Sequence, residues 1–181
     1  GKQSVRGVEF EGNLKPTPEI TFSLAMTYLD PKFDQFLLSA FGDLSGTMPA
    51  GVTKFASVVG FQWNHEFGNG DRVIFHADYR HEDKFRLVEG LPGLVVKNSA
   101  GVVTSTAAAV QAATDFAQTI NNVDGSITYA FSSGPEISFW GRNILNKRTI
   151  LQIFDSPAQS GSISGYPSEP RTYGVSARYR F

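Results

Sequence analysis

The chain has 181 residues, a formal net charge of -1, 13 % aromatic residues, 18 glycines and no cysteine. So even a charge balance offers no footprint for a polyanion, and no nucleic acid partner is expected; without cysteine there is no disulfide framework, Cys-ligated metal or thiol nucleophile. No apolar run reaches the roughly 18 residues of a transmembrane helix, and Gly1-Lys2-Gln3-Ser4-Val5-Arg6 lacks the apolar core of a signal peptide.

From the start of the chain, apolar residues recur with a period of two, the signature of half-buried strands. Val8 and Phe10 alternate with Gly7, Glu9 and Glu11, and Ile20, Phe22, Leu24, Met26 and Tyr28 with Thr21, Ser23, Ala25 and Thr27. Phe55, Val59, Phe61 and Trp63 oppose Ala56, Gly60, Gln62 and Asn64; Val73, Phe75, Ala77 and Tyr79 oppose His76, Asp78 and Arg80. Ile127, Tyr129 and Phe131 alternate with Ser126, Thr128 and Ala130. The next element is less clean, with Ile137 and Phe139 opposite Ser138 and Arg142 and with Trp140 on the polar side. In the last, Tyr173, Val175, Ala177, Tyr179 and Phe181 share one face and Thr172, Gly174, Ser176, Arg178 and Arg180 the other. Seven strands are predicted, at about 4–12, 19–30, 54–67, 72–82, 122–131, 136–146 and 171–181.

The connections alternate in length. Asn13-Leu14-Lys15-Pro16-Thr17-Pro18, Gly68-Asn69-Gly70-Asp71 and Ser132-Ser133-Gly134-Pro135 are tight turns, while 31–53, 82–121 and 146–170 are long loops. Loops beyond about 12–15 residues are uncommon in compact domains, whereas outer-membrane barrels pair short periplasmic turns with long extracellular loops. The expected fold is therefore all-β, an antiparallel transmembrane β-barrel in the Gram-negative outer membrane, touching lipid and lipopolysaccharide. Trp63, Phe67, Phe131, Tyr179 and Phe181 would form one interfacial aromatic girdle, and Tyr28 and Tyr79 the other.

Seven strands cannot close, since a single-chain barrel takes an even number and open edges in hydrocarbon leave backbone groups unpaired. Residues 1–181 are therefore expected to be the C-terminal segment of a longer barrel.

Three segments carry a resemblance. Leu44-Ser45-Gly46-Thr47-Met48-Pro49 with Thr53-Lys54-Phe55 resembles the loop and strand start of a late barrel hairpin in the TonB-dependent outer-membrane receptors. Ile137-Ser138-Phe139-Trp140-Gly141-Arg142-Asn143-Ile144-Leu145-Asn146-Lys147-Arg148 is similar to that family's "v-x-N-L-f-D-k-x-Y" element, with Ile144, Asn146 and Thr149 where the family has Leu, Asp and Tyr. The terminal Pro170-Arg171-Thr172-Tyr173-Gly174-Val175-Ser176-Ala177-Arg178-Tyr179-Arg180-Phe181 resembles its closing strand. The resemblance implies a 22-stranded barrel around a plug domain absent from this segment. It also implies partnership with TonB, ExbB and ExbD and the barrel assembly machinery, and import of a small-molecule substrate such as a ferric siderophore, cobalamin or a glycan. Phe181 and Tyr179 would then form the assembly signal.

Period two sets His76, Asp78 and Arg80 toward the lumen with Arg142, Arg178 and Arg180, and sends His81 to the opposite face, so His76 and His81 cannot chelate one ion. A hydrated lumen wall, in places pairing with the plug, is the expected role. No nucleophile elbow is present, so no enzyme, metal or cofactor is expected. A small closed barrel serving as lipid-modifying enzyme, or as anchor or adhesin, is the alternative. In loop 82–121, Thr104-Ser105-Thr106-Ala107-Ala108-Ala109-Val110-Gln111-Ala112-Ala113 is rich enough in Ala for a short helix, in a loop that either gates substrate or forms a mobile cover.

Overall fold

The computed structural model describes residues 1–179; Arg180 and Phe181 lie outside the described residues, and with them part of the expected assembly signal. The described chain is built from β1 (Lys2–Leu14), β2 (Ile20–Gln35), β3 (Phe55–Glu66), β4 (Arg72–Phe85), β5 (Val96–Lys97), β6 (Val103–Ser105), α1 (Ala107–Asp115), β7 (Gln118–Ala130), β8 (Glu136–Arg142), β9 (Ile150–Asp155), β10 (Ile163–Pro167) and β11 (Thr172–Arg178). The seven strands read from periodicity form one sheet of order β1-β2-β3-β4-β7-β8-β11, every neighbour antiparallel. Among the described residues the sheet is open, with β1 and β11 at its edges.

The register shears this sheet strongly. One ladder row runs Leu14–Phe22–Phe61–Ala77–Gly125–Gly141–Tyr173. Leu14 closes β1 beside a tight turn, whereas Tyr173 opens β11 beside a long loop. A row perpendicular to the strands thus crosses from the turn end of the sheet to its loop end. Such a stagger is what tilted strands need to curl into a barrel.

The same rows sort the faces. Phe22 packs on Phe61 with ring centres 5.2 Å apart, and Phe61 on Phe75 at 5.8 Å. This face remains uncovered: Val8 is 71 % exposed, Phe139 58 % and Tyr173 79 %. An apolar surface of such extent seeks a partner or a lipid phase.

Several strands outrun the expectation. β2 continues from Tyr28 to Gln35 and β4 from Tyr79 to Phe85, so these tyrosines are not at strand ends. They do mark the end of the apolar series, because Asp30 and Lys32 follow Tyr28 on the same face, and His81 and Asp83 follow Tyr79. Ladder hydrogen bonds need only backbone groups, so the hairpins continue where apolar patterning stops. The sixteen residues of β2 run about 50 Å at roughly 3.4 Å each, beyond the roughly 9–11 residues of a tilted membrane strand. β8 instead stops at Arg142, short of the expected 146, because Asn143 (φ 48) and Asn146 (φ 51) enter the left-handed region that Asn tolerates.

The loops are folded. The helix expected at 104–113 lies at Ala107–Asp115, and two-stranded hairpins β5–β6 and β9–β10 form beside it. Among the described residues the buried apolar side chains are Pro31, Leu44, Pro49, Leu91, Ala109, Ala113, Ala130 and Ile153, and of these only Pro31 and Ala130 belong to the main sheet. The enclosed core therefore sits in the loops. Ala109 and Ala113, one turn apart on α1, are fully buried, and the Leu91 N–H donates to the Ala109 carbonyl at 3.3 Å. Thr106 Oγ1 donates to the Phe41 carbonyl (3.2 Å), Arg86 Nη2 to the Met48 carbonyl (2.8 Å) and the Ala50 N–H to Glu89 Oε1 (2.6 Å). The Gly93 N–H reaches Asp155 Oδ2 at 2.7 Å, and Gln118 bridges both backbone groups of Ile150. Three loops separated by whole hairpins thus make one cap.

Candidate functional site

At the turn end, Asp71 joins two neighbouring turns. Gly70 takes φ 82, which turns the chain so that the Asp71 carboxylate, 8 % exposed, faces the next hairpin. There it accepts from the Ser132 N–H (2.8 Å), the Tyr129 hydroxyl (2.7 Å) and Asn69 Nδ2 (2.8 Å). These donors, the Ser132 N–H foremost, lower its pKa to about 2 from the ordinary 3.8. A carboxyl depressed in the folded state adds stability above its ordinary pKa and loses it as pH falls through the folded value. The turn 131–135 is therefore expected to stay protected from amide exchange down to about pH 4 and to loosen as pH falls toward about 2. Asp71→Ala should expose it already at pH 7; equal protection in that variant would refute the clamp. Sequence periodicity missed Asp71, because its partner turn lies a hairpin away.

A second carboxylate, Glu19, leads into β2 and accepts from Trp63 Nε1 (3.1 Å) and His65 Nδ1 (3.0 Å). These donors hold its pKa below the ordinary value, Trp63 contributing most. His65 stacks on Trp63 and meets Phe67 edge-on, so these two rings of the expected girdle are joined through a histidine, while Phe181 lies outside the described residues.

On the polar face the register brings together residues from six strands. The row Thr21–Gln62–His76–Ser126–Trp140–Gly174 lies beside Ser23–Gly60–Asp78–Asp124. His76, Asp78 and Arg80 share this face as expected, and His81 stands on the other with Asn121 and Phe55. Arg142 and Arg178 also lie on the polar face, Arg178 opposite Glu136 and Arg142 opposite Thr172; Arg180 falls outside the described residues.

Asp78 and Asp124 are direct cross-strand partners, a like-charge pairing that repels. Each has its own donor. His76 Nε2 lies 2.6 Å from Asp78 Oδ2, and the Asn143 N–H donates to Asp124 Oδ1 at 2.8 Å. Gly60 makes room beside them, since a Cβ there would meet Ser23 Oγ at 2.2 Å and Asp78 Oδ1 at 2.9 Å.

Asn143 is the hub above this row. Its Nδ2 donates to the carbonyls of Lys147 (2.9 Å) and Glu169 (3.1 Å), and its Oδ1 accepts from the Lys147 N–H at 3.0 Å. The Asn143-Ile144-Leu145-Asn146 motif is thus a loop clasp that draws 147 and 169 together above the sheet. Left-handed backbone and a bridging amide both call for Asn, a signal visible in the sequence.

Trp140 packs against Gly174, where a Cβ would come within 2.6 Å of the ring, and its Nε1 donates to Ser176 Oγ at 3.2 Å. The Arg142 guanidinium carbon lies 5.5 Å from the ring centre on the same wall. Two open cavities meet here, one of about 260 Å³ reaching Arg80, Lys147 and Glu169, the other of about 350 Å³ reaching His76, Trp140 and Ser176. Asp124 and Arg142 line both.

No protein-family model and no curated protein matches this sequence. Among solved structures the chain is similar to the ferric yersiniabactin uptake receptor FyuA from Yersinia pestis, with a TM-score of 0.69 at 13 % identity. The likeness covers 99 % of this chain and 24 % of that receptor. The shared property is the fold. The chain has the architecture of a β-barrel fragment, in agreement with the sheared, two-faced sheet. Among the described residues no helix is long and apolar enough to cross a membrane, which leaves strand-based crossing untouched.

Proposed function

We propose that the chain forms part of the barrel wall of a TonB-dependent outer-membrane receptor that imports a scarce small molecule. The observation that carries this reading is the sheared seven-stranded sheet, apolar on one face and polar on the other, alike over nearly its whole length to a siderophore receptor. In this reading the apolar face meets lipid and lipopolysaccharide, the polar face looks into the lumen toward a plug domain, and the tight turns lie in the periplasm. Fifteen further strands would complete a 22-stranded wall, and TonB with ExbB and ExbD would energise transport through the plug.

The full-length protein is expected in the outer-membrane fraction, migrating faster unboiled than boiled. Its deletion should abolish growth on one member of a panel of ferric chelates, cobalamin and oligosaccharides. A soluble, heat-insensitive protein would refute the reading.

Tyr179 follows β11 and is 61 % exposed; with Phe181 it would form the aromatic end read by the assembly machinery. Phe181→Asp is expected to lower the amount of heat-modifiable barrel severalfold without lowering synthesis. Wild-type amounts in that variant would exclude an assembly role.

A further inference from the structure

On the transport reading above, we infer that one phosphatidylethanolamine of the periplasmic leaflet binds at the turn end of the apolar face, its ammonium on Glu19 and an acyl chain in the trough across β1, β2 and β3. The trough is an open cavity of about 380 Å³ walled by Phe10, Leu14, Phe22, Leu24 and Val59. Its floor is Gly12, where a Cβ would meet the edge of the Phe10 ring at 3.2 Å. In lipid no hydrophobic gain separates one apolar surface from another, so shape decides which chain stays. A trough touches a chain on three sides where a flat wall touches it on one. A further strand pairing with β1 would take its backbone edge and leave this face open.

The head of the site lies at the trough's periplasmic mouth, where Glu19 directly precedes β2. Trp63 Nε1 occupies one lone pair of Oε2 and His65 Nδ1 one of Oε1, so each oxygen keeps a second. These donors also hold the carboxyl ionised, its pKa below the ordinary value. Apart from His65, cationic only when protonated, no basic group among the described residues lies within ion-pair distance of Glu19. Glu66 and Arg72 face each other on the polar side instead. An anion fixed between interfacial rings and short of a cation calls for a partner at that depth. A primary ammonium donates three N–H groups to it and a quaternary one none, while an anionic headgroup is repelled. Lys15, exposed in the same turn, matches the phosphate. Phe22 and Leu24 follow Glu19 by about 10 and 17 Å along the strand at roughly 3.4 Å per residue, the stretch in which acyl chains begin. Lipopolysaccharide, whose phosphates lie in the opposite leaflet at the loop end, is out of reach.

The test uses the purified full-length receptor, delipidated in detergent and titrated with palmitoyl-oleoyl phosphatidylethanolamine, phosphatidylcholine or phosphatidylglycerol, with bound lipid counted by native mass spectrometry. One phosphatidylethanolamine is expected to stay bound, about tenfold more tightly than either other lipid. Glu19→Gln should erase that preference and Glu19→Asp recover part of it. Glu9→Gln, the same change of charge on the polar face, should leave it intact. Leu14→Trp, which narrows the trough, should weaken all three lipids alike. Heat modifiability reports that each variant is folded. Equal affinities in the unaltered receptor overturn the proposal, as does a preference for phosphatidylglycerol or one that survives Glu19→Gln. The transport reading fails separately, through the wrong cell fraction or a deletion without growth defect; a receptor that imports normally and shows no lipid preference overturns the lipid site alone.

Discussion

Val59→Arg is expected to destabilise the assembled full-length barrel by about 2–4 kcal/mol, the cost of a cation near the middle of the lipid-facing band. Val59 lies in the apolar series of β3 between Phe55 and Trp63, pairs with Leu24 and Tyr79, and is 43 % exposed on the uncovered face. Gln62→Arg, three residues on and on the other face, should change stability by less than about 0.5 kcal/mol, as for a solvated site. The pair separates a membrane wall from a soluble sheet, in which an exposed valine on an open face would tolerate arginine. Reversible urea unfolding in lipid vesicles reads both, and equal costs at the two positions would sink the lipid assignment.

Leu91→Ala is expected to open the loop cap while leaving the sheet intact. Leu91 is 1 % exposed beside the fully buried Ala109 and Ala113, and truncating an enclosed leucine costs about 2–4 kcal/mol through lost transfer energy and the cavity left behind. The cap has no other large side chain buried to the same degree among the described residues, so little remains to refill the space. Amide exchange at Leu91, Gly51 and Gly93 should accelerate roughly 30-fold or more, since local opening follows local stability. Amides in β3 and β4 should be unmoved. Unchanged loop exchange would mean that the cap is held by its hydrogen bonds alone, and a matching rise in β3 would mean that cap and sheet unfold together.

The cap bears on how such loops act. A mobile cover was one of two readings open from composition, because 82–121 mixes polar, Gly and Ala residues without a sustained pattern. The tertiary contacts favour a unit that moves as one, since Phe41 of the first loop meets Thr106 and Gly90 of the second, and Gly93 of the second meets Asp155 of the third.

Much of the sheet was legible because its signal is local. Alternation along Ile20–Tyr28, Phe55–Trp63 and Val73–Tyr79 reports which face each side chain takes, a property of the strand's own geometry. Gly, Pro and Asn at 13–18, 68–71 and 132–135 report the turns for the same reason. The strand limits were less legible, since ladder bonds beyond Tyr28 and Tyr79 rest on backbone groups that every residue carries.

By itself the sequence determined seven antiparallel strands, the two faces, the alternation of turns and loops, and the placement of His76, Asp78, Arg80 and Arg142 on one wall. Tertiary structure alone decided the shear of the sheet, the Asp71 clamp, the seat of Trp140 on Gly174 and the core within the loops. Each of these joins residues from separate hairpins, where register and packing set the distance. A pattern with period two says which way a side chain points, and nothing about how far along the neighbouring strand its partner sits.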